Sequence, residues 1–412
     1  MKYGLIGERL GHSFSKEIHG QLADYKYELC EIARDELDAF MIKRDFLGIN
    51  VTIPYKSAVI PYLDYIDGAA KEIGAVNTVV RRSGKLFGYN TDYYGMLLLS
   101  EHAGVKLAGK RVAILGTGGT SRTAACVAKN AGAESVVRVS RTAKCGAVSY
   151  EDFYKNYKDT EVIINTTPVG MSPNIFDTPL DLSGFNSLSG VVDAVYNPLR
   201  TPLVLQARSL GISAEGGLYM TVAQAVAASE IFVDTKYPDG VIEKIYRKTF
   251  KEKENIVLAG MPGAGKSTVG ALLAESLGRE FIDTDTLIEK REDKSIVKIF
   301  EDCGEEYFRE LEARIIGEIS ARCGAVISVG GGAVLRDSNV SALKENGKIY
   351  FIDRPLSALI PTADRPLASN REAIEKRYVE RYGIYTAAAD CRIDADCDAR
   401  GVAEKIERNF AL

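Results

Sequence analysis

Two lysines stand where they could do chemistry. Lys56 ends the run Gly48-Ile49-Asn50-Val51-Thr52-Ile53-Pro54-Tyr55-Lys56, and Asp92 lies in Gly88-Tyr89-Asn90-Thr91-Asp92-Tyr93-Tyr94-Gly95. A carboxylate that holds and tunes an ammonium makes an acid/base pair, able to protonate a carbonyl oxygen or take a proton from an alcohol. Lys266 stands in Gly260-Met261-Pro262-Gly263-Ala264-Gly265-Lys266-Ser267-Thr268. That run fits the spacing Gly-x-x-x-x-Gly-Lys-Ser/Thr, in which backbone N–H groups and a helix N-terminus cradle phosphates. Lys266 would reach the outer phosphates and Ser267 would sit on Mg²⁺, with Gly263, Ala264, Gly265 and Thr268 completing an ATP loop.

Around Lys56, amides and hydroxyls recur at the ends of strand-like runs: Asn50 and Thr52, then Asn77 in Ile73-Gly74-Ala75-Val76-Asn77-Thr78, then Thr91. Such a set suits a polyhydroxylated acid. Ser13 and Ser15, one residue apart at a strand-to-helix turn, read by themselves as helix caps and equally as ligands to a small polar molecule. Later runs end in Asn165-Thr166-Thr167-Pro168 and in Asp193-Ala194-Val195-Tyr196-Asn197, and a helix opening at Gly216-Gly217 would turn Gln224 toward a cleft.

These side chains need strands to carry them. Tyr3–Gly7 reads as a strand, and so does the β-branched stretch Gly48–Ile53; open α/β sheets bind ligands at the C-terminal ends of such strands. Lys110 to Leu115 reads as a strand entering Gly116-Thr117-Gly118-Gly119-Thr120-Ser121, with a helix from Arg122 to Asn130. This is a variant dinucleotide-binding start. The next strand, Ser135–Val139, would end in Asp or Glu in an NAD enzyme. It ends instead in Ser140-Arg141-Thr142-Ala143-Lys144, whose hydroxyl, guanidinium and ammonium suit the 2′-phosphate of NADP.

In the second half, Ile256–Ala259 reads as the strand before the phosphate loop, and the periodic Val269–Ala274 as the helix after it. Such a loop usually follows the first strand of its domain, which makes the preceding half a separate unit. Glu280–Asp285 reads as a strand ending in two carboxylates, Asp283 for the metal shell and Asp285 for the substrate, with a helix cap at Asp285 as the alternative. Arg309 and Glu312 lie three apart on a helical pattern, close enough to pair. Gly330-Gly331-Gly332 would let a ligand approach the backbone. Asp364-Arg365-Pro366-Leu367 reads as a mobile loop, and Arg381 closes the pattern.

The residues from 1 to about 250 resemble shikimate dehydrogenase, on Ser13-x-Ser15, Asn50–Lys56, Ile73–Thr78, Asn90–Asp92, the Gly116–Gly119 turn, Asn165–Met171 and Gln224-Ala225, in the family's order. The resemblance implies NADPH-dependent reduction of 3-dehydroshikimate to shikimate, with Lys56 transferring the proton beside Asp92. It places Ser13, Ser15, Asn50, Thr52, Asn77, Tyr196 and Gln224 around the substrate, and Gly116, Thr117, Gly118, Gly119, Thr120, Ser140, Arg141, Thr142, Lys144 and Gly217 around NADP. Residues 254 to 412 resemble shikimate kinase, a small P-loop enzyme with a parallel sheet and a lid. This implies that Asp285, Arg309, Gly331 and Arg381 hold shikimate, and that Lys266, Mg²⁺ near Ser267 and Asp283, and lid residue Arg365 stabilise the transferring phosphoryl group. The implied product of the first half is the implied substrate of the second, two successive steps toward chorismate and the aromatic amino acids.

The expected architecture is therefore α/β throughout. A substrate lobe spans 1–98 and is completed by 218–250, a Rossmann NADP lobe spans 99–217, the charged run at 244–255 reads as a linker with which a solvated helix end is compatible, and a P-loop domain covers 254–412 with its lid near 360–372. The 412 residues are too many for one ordinary core, and 46% hydrophobic with 26% charged residues describes a globular chain. A formal charge of -4 argues against nucleic acid as the main partner. Seven scattered cysteines read as single buried thiols, no stretch is long enough to span a membrane, and Met1-Lys2-Tyr3-Gly4 carries no signal pattern, so cytoplasm is the expected compartment. The expected partners are small molecules, with a homodimer allowed for. Two alternatives differ in class: a NAD-linked quinate-type dehydrogenase fused to another small-molecule kinase, against which Arg141 argues, and a non-catalytic nucleotide-binding regulator, which would have lost residues such as Lys56 and Lys266.

Overall fold

The computed structural model describes residues 1–11, 13–144, 146–359 and 371–411. The chain divides into two compact units, Met1–Phe250 and Lys251–Leu412.

The first unit holds two sheets. The elements β1 (Tyr3–Gly7), α1 (Ser15–His19), β2 (Tyr27–Glu31), α2 (Leu37–Lys43), β3 (Gly48–Val51), β4 (Tyr65–Ile66), α3 (Gly68–Ile73), β5 (Thr78–Arg82), β6 (Lys85–Tyr89) and α4 (Thr91–His102) come first. Their six strands order as β2-β1-β3-β5-β6-β4. β1 pairs parallel with β2 and β3, whereas β5 runs antiparallel to both β3 and β6. The second sheet follows through β7 (Arg111–Leu115), α5 (Gly119–Asn130), β8 (Ser135–Val139), α6 (Tyr150–Asn156), β9 (Val162–Asn165), β10 (Gly190–Asp193), α7 (Pro202–Ser209) and β11 (Ser213–Glu215). Its order is β11-β10-β9-β7-β8, all parallel. All four residues of β9 and of β10 are buried, as strands covered on both faces must be.

Helix α8 (Leu218–Val233) then returns to the first sheet. It lies against α4 so closely that a Cβ at Gly95 would sit 2.7 Å from the Met220 carbonyl oxygen, and Phe232 fills the space beside Gly48. The stretch 244–255, expected as a linker with a helix end compatible with it, contains the division between the units after Phe250; most of it is α9 (Val241–Lys253), which buries Ile245 and Thr249, and Asn255 opens the next strand. The run of charges occupies the solvent face of that amphipathic helix.

The second unit is a single five-stranded parallel sheet. Its elements are β12 (Asn255–Ala259), α10 (Lys266–Leu277), β13 (Phe281–Asp283), α11 (Thr284–Glu292), α12 (Ile296–Ser320), β14 (Val326–Ser328), α13 (Asp337–Asn346), β15 (Gly347–Asp353), α14 (Arg371–Ala388), β16 (Cys391–Asp394) and α15 (Ala399–Ala411). The order β13-β14-β12-β15-β16 puts the fully buried β12 at the centre, where the direction of strand succession reverses. Ligands of open α/β sheets gather at that point, and the phosphate loop leaves β12 there. Gly304, at φ 83°, breaks α12; only glycine takes that conformation without steric cost.

Among the described residues no helix is long and apolar enough to cross a membrane. The described cysteines are free thiols, yet only Cys126 among them is buried and Cys303 is exposed. The expectation of buried thiols thus fails for most of them, since Cys30, Cys391 and Cys397 pack against core side chains but stay half-buried.

Candidate functional sites

The first unit contains a cavity of about 410 Å³, and the structure brings Ser13, Ser15, Asn50, Thr52, Lys56, Asn77, Asp92, Tyr196 and Gln224 together in its wall. The Lys56 Nζ donates to Asp92 Oδ2 at 2.6 Å, with only 17% and 9% of the two side chains exposed. Asp92 lies in the first turn of α4, where the partial positive charge of the helix start favours a carboxylate. That helix start is itself pinned. Asn90 accepts the Tyr93 N–H at 3.1 Å, and Asn77 Oδ1 accepts the Thr91 N–H at 2.7 Å. Asn50 is held from behind, since Tyr27 O–H donates to its Oδ1 at 2.7 Å and its Nδ2 donates to Thr78 Oγ1 at 3.0 Å. The two amides therefore build the wall as much as they face the cavity.

Ser13 Oγ accepts the N–H of Ser15, the first residue of α1, at 3.2 Å. Phe14 occupies the N-cap without a side-chain bond, and Ser13 Oγ donates to Ser15 Oγ at 3.0 Å. Burial, opposed by a hydrogen bond with Ser13, raises the Tyr196 phenol above its ordinary range, so it faces the cavity as a neutral O–H. Behind Tyr196, the fully buried Asp193 accepts hydrogen bonds from Asn165 Nδ2 (2.9 Å), the Val195 N–H (2.9 Å) and Thr201 Oγ1 (2.7 Å). Burial pushes its carboxyl up to about 7. It ties β9, β10 and the cap of α7 into one corner. Sequence reasoning passed over Arg9, Met171, Ser172, Asn197, Met220 and Thr221, which also line the cavity; Met171 and Asn197 lie inside motifs that the sequence does display.

Beside this cavity the turn after β7 has the form a dinucleotide needs. Gly116 takes φ 114°, and a Cβ there would lie 2.8 Å from Thr166 Oγ1. Gly118 caps α5 with no side chain, its φ of -77° requires no glycine, and a Cβ on it would meet nothing within 4 Å. The protein itself does not need that position empty; a phosphate approaching the helix start would. Thr117 is exposed, and Thr120 also reaches the substrate cavity. At the end of β8, Ser140 is half-buried while Arg141, Thr142 and Lys144 are exposed, and no carboxylate stands among them. The residues present fit NADP. Gly217 has a different reason to be glycine: a Cβ there would collide with the Ala194 carbonyl as α8 begins.

The second unit holds a pocket of about 350 Å³ whose wall includes Ser267, Asp283, Asp285, Arg309, Gly331 and Arg381. Gly263 and Gly265 adopt φ of 81° and 89° in the loop, which then runs into α10. Buried Lys266 folds back onto the loop, its Nζ donating to the carbonyls of Gly260 (2.9 Å) and Met261 (3.3 Å). Ser267 Oγ donates to Asp283 Oδ2 at 2.7 Å. A hydroxyl beside a carboxylate is a hard-oxygen pair suited to Mg²⁺, which takes few protein ligands and completes its shell with phosphate and water.

Asp285 belongs to α11 and not to a strand end, and the cap is Asp283, whose Oδ1 accepts the N–H groups of Asp285 and Thr286. Arg309 Nη1 donates to Glu312 Oε2 at 2.7 Å and its Nη2 to Glu305 at 3.2 Å. Burial raises the Glu312 carboxyl above its ordinary range, against the pull of Arg309. Gly331 presents its carbonyl to Arg381 Nη1 at 3.1 Å and to the Tyr385 hydroxyl. Phe281, Ile296, Phe300 and Phe308 give the pocket an apolar side that sequence reasoning missed; their only signal was apolar spacing, which core residues share. Arg365 and the rest of Asp364–Leu367 lie outside the described residues.

A parallel nucleotide-binding sheet facing a cavity with a lysine–carboxylate pair defines a nicotinamide-nucleotide dehydrogenase; the second unit has the loop, sheet and pocket of a small P-loop kinase. Residues 5–79 match the family described as shikimate dehydrogenase substrate binding domain, and residues 262–410 match the family described as shikimate kinase. The shikimate dehydrogenase (NADP(+)) of Clostridium perfringens is 38% identical over 263 residues, which cover 60% of this chain and 97% of that protein. Among solved structures, shikimate dehydrogenase 1 from Peptoclostridium difficile aligns with a TM-score of 0.56 and 35% identity, covering 60% of this chain and 98% of that one. A shikimate 5-dehydrogenase from Thermus thermophilus, solved with NADP(H) and shikimate, aligns with a TM-score of 0.54 and 28% identity, covering 60% and 99%. The chain belongs to the shikimate dehydrogenase family through its first unit and carries a shikimate kinase domain in its second.

Proposed function

We propose that this chain carries out two successive reactions, reducing 3-dehydroshikimate to shikimate with NADPH and phosphorylating shikimate to shikimate 3-phosphate with MgATP. The observation that carries the reading is the Lys56–Asp92 pair, 2.6 Å apart in a cavity walled by hydroxyls and amides. In the first reaction Lys56 Nζ gives a proton to the ketone oxygen while the carbonyl carbon is reduced, and Asp92 keeps the ammonium in place. NADPH, when bound by the Gly116–Thr120 turn and by Ser140, Arg141, Thr142 and Lys144, supplies the hydride. Ser13, Ser15, Asn50, Thr52, Asn77, Tyr196 and Gln224 hold and orient the ring substituents, which turns an encounter into a positioned reaction.

In the second reaction Asp285 orients the 3-hydroxyl and accepts its proton as the oxygen bonds to the γ-phosphorus of ATP, whose bond to the bridging oxygen breaks to release ADP. Arg309 and Arg381 pair with the substrate carboxylate, and Lys266 stabilises charge gathering on the transferring group. Mg²⁺, when held near Ser267 and Asp283, neutralises phosphate charge. The pocket wall supports that need, for it carries Asp283, Asp285, Glu289 and Glu312 against only Arg309 and Arg381. Free thiols and the lack of a described membrane helix support a cytoplasmic setting with small molecules as partners.

The test is a coupled assay with purified chain, 3-dehydroshikimate, NADPH and MgATP. The expected result is NADPH oxidation followed by shikimate 3-phosphate. Consumption of neither NADPH nor ATP would end this reading, and NADH outperforming NADPH would favour the quinate-type alternative.

A further inference from the structure

The cavity of the first unit has an unbalanced charge. Its ionic residues are Arg9, Lys56 and Asp92, and the last two neutralise each other across 2.6 Å. Arg9 is left over. It stands on the loop between β1 and α1, the loop that also carries Ser13 and Ser15, and among the described residues its guanidinium has neither a hydrogen bond nor an ion pair. The nearby carboxylates are engaged elsewhere. Glu8 pairs with Arg34 at 3.1 Å, and Glu31 accepts the Leu10 N–H at 2.7 Å. Its neighbour Leu10 is buried, with its carbonyl accepting the Ser13 N–H at 3.1 Å. A permanently charged, planar donor set, exposed at the cavity wall that also holds two hydroxyls, is suited to a carboxylate.

We propose that Arg9 is a specificity-determining residue of the dehydrogenase cavity, reading the carboxylate of the substrate. The inference rests on the dehydrogenase reading and adds to it the group that selects an acid over a neutral polyol or ester. Lys56 and Asp92 perform the proton transfer without Arg9, so its loss falls on KM more than on kcat.

The experiment compares Arg9→Gln and Arg9→Lys with the unaltered chain in NADP⁺ reduction by shikimate and by its uncharged methyl ester. Arg9→Gln is expected to raise KM for shikimate at least about tenfold, the value of a charge-assisted hydrogen bond, and to leave KM for the ester within about twofold. Arg9→Lys restores part of the preference for the acid, since it keeps the charge and loses the fork. An unchanged KM for shikimate, or an equal rise for acid and ester, overturns the inference while the dehydrogenase reading stands. No turnover of shikimate by the unaltered chain overturns both.

Discussion

Gly330 offers a sharp test of the kinase site, because the substitution Gly330→Ala adds one carbon against the residues proposed to act. A Cβ at Gly330 would lie 2.6 Å from Glu312 Oε1 and 2.8 Å from Asp285 Oδ1. Restoring an ordinary contact of 3.4 Å moves the first oxygen by about 0.8 Å and the second by about 0.6 Å. The backbone has no reason to resist, since Gly330 is not among the residues with positive φ and its N–H bond to Thr284 Oγ1 at 3.0 Å is compatible with alanine. The cost therefore falls on Asp285 and, through Glu312, on Arg309. Displacing a reacting group by the better part of an ångström costs about 10²-fold in rate, so kinase kcat should drop by about that factor. Gly332→Ala is the companion variant. There the added carbon strikes the Arg309 guanidinium and spares Asp285, so the loss should appear first in KM for shikimate. Both are measured by ADP release at saturating MgATP, with NADP⁺ reduction by the same preparation as the check on folding. Kinase kcat of Gly330→Ala within about threefold of the unaltered chain would refute the assignment of Asp285, since the predicted displacement is far larger than such a change can reflect.

The other predictions reach both units. Lys56→Ala should lower dehydrogenase kcat by about 10²-fold or more, as loss of a general acid does, with kinase turnover intact; equal loss in both assays would point to misfolding. Arg141→Gln should raise KM for NADPH about tenfold and leave NADH use unchanged, because only the former carries the 2′-phosphate; equal effects on both cofactors would remove Arg141 from that role. Glu345, buried at the end of α13 with Oε2 unpartnered among the described residues, has its carboxyl pushed by burial from 4.5 to about 9. Below pH 4.5 both folded and unfolded chains carry the proton. Between 4.5 and about 9 only the unfolded chain loses it, so stability falls as pH rises, by about 3 kcal/mol at pH 7. Glu345→Gln should flatten that decline in urea unfolding of the second unit from about pH 5.5 to about pH 8.5, and parallel curves for the two proteins would show that Glu345 ionises freely.

What could be read in advance follows how local the encoding is. The Gly260–Thr268 loop and the Gly116–Thr120 turn place a strand, a turn and a helix start in consecutive residues, so their spacing carries their shape. Asn77, Thr91 and Asp92 were legible for a related reason: each sits at a strand or helix end, where polar side chains stay near the cleft edge. Arg9 and Phe300 had no comparable signal. An arginine in a loop reads as solvated, and a phenylalanine on a helical stripe reads as core; only the tertiary path that brings Arg9 to the same cavity as Ser15, and Phe300 against Phe308, makes them wall. At 244–255 the stretch expected as a linker is carried mostly by a helix, since its alternating charges mark one face of α9 while Ile245 and Thr249 face inward.

The three glycines after β14 line the pocket, and the chain's own side chains take part of the space above them. By sequence they read as room for a ligand to approach the backbone. In the structure the space over Gly330 is taken by Asp285 and Glu312, and that over Gly332 by Arg309, all from the chain itself. Between them, the Gly331 carbonyl receives Arg381 and Tyr385 from α14. The end of β14 is thus a floor on which side chains from α11, α12 and α14 rest, and a methyl group at Gly330 or Gly332 displaces a residue proposed to hold or activate shikimate. Sequence spacing could mark that floor as unusual. What occupies it depends on α12 bending at Gly304 and on α14 returning across the sheet, and neither contact is written in neighbouring residues.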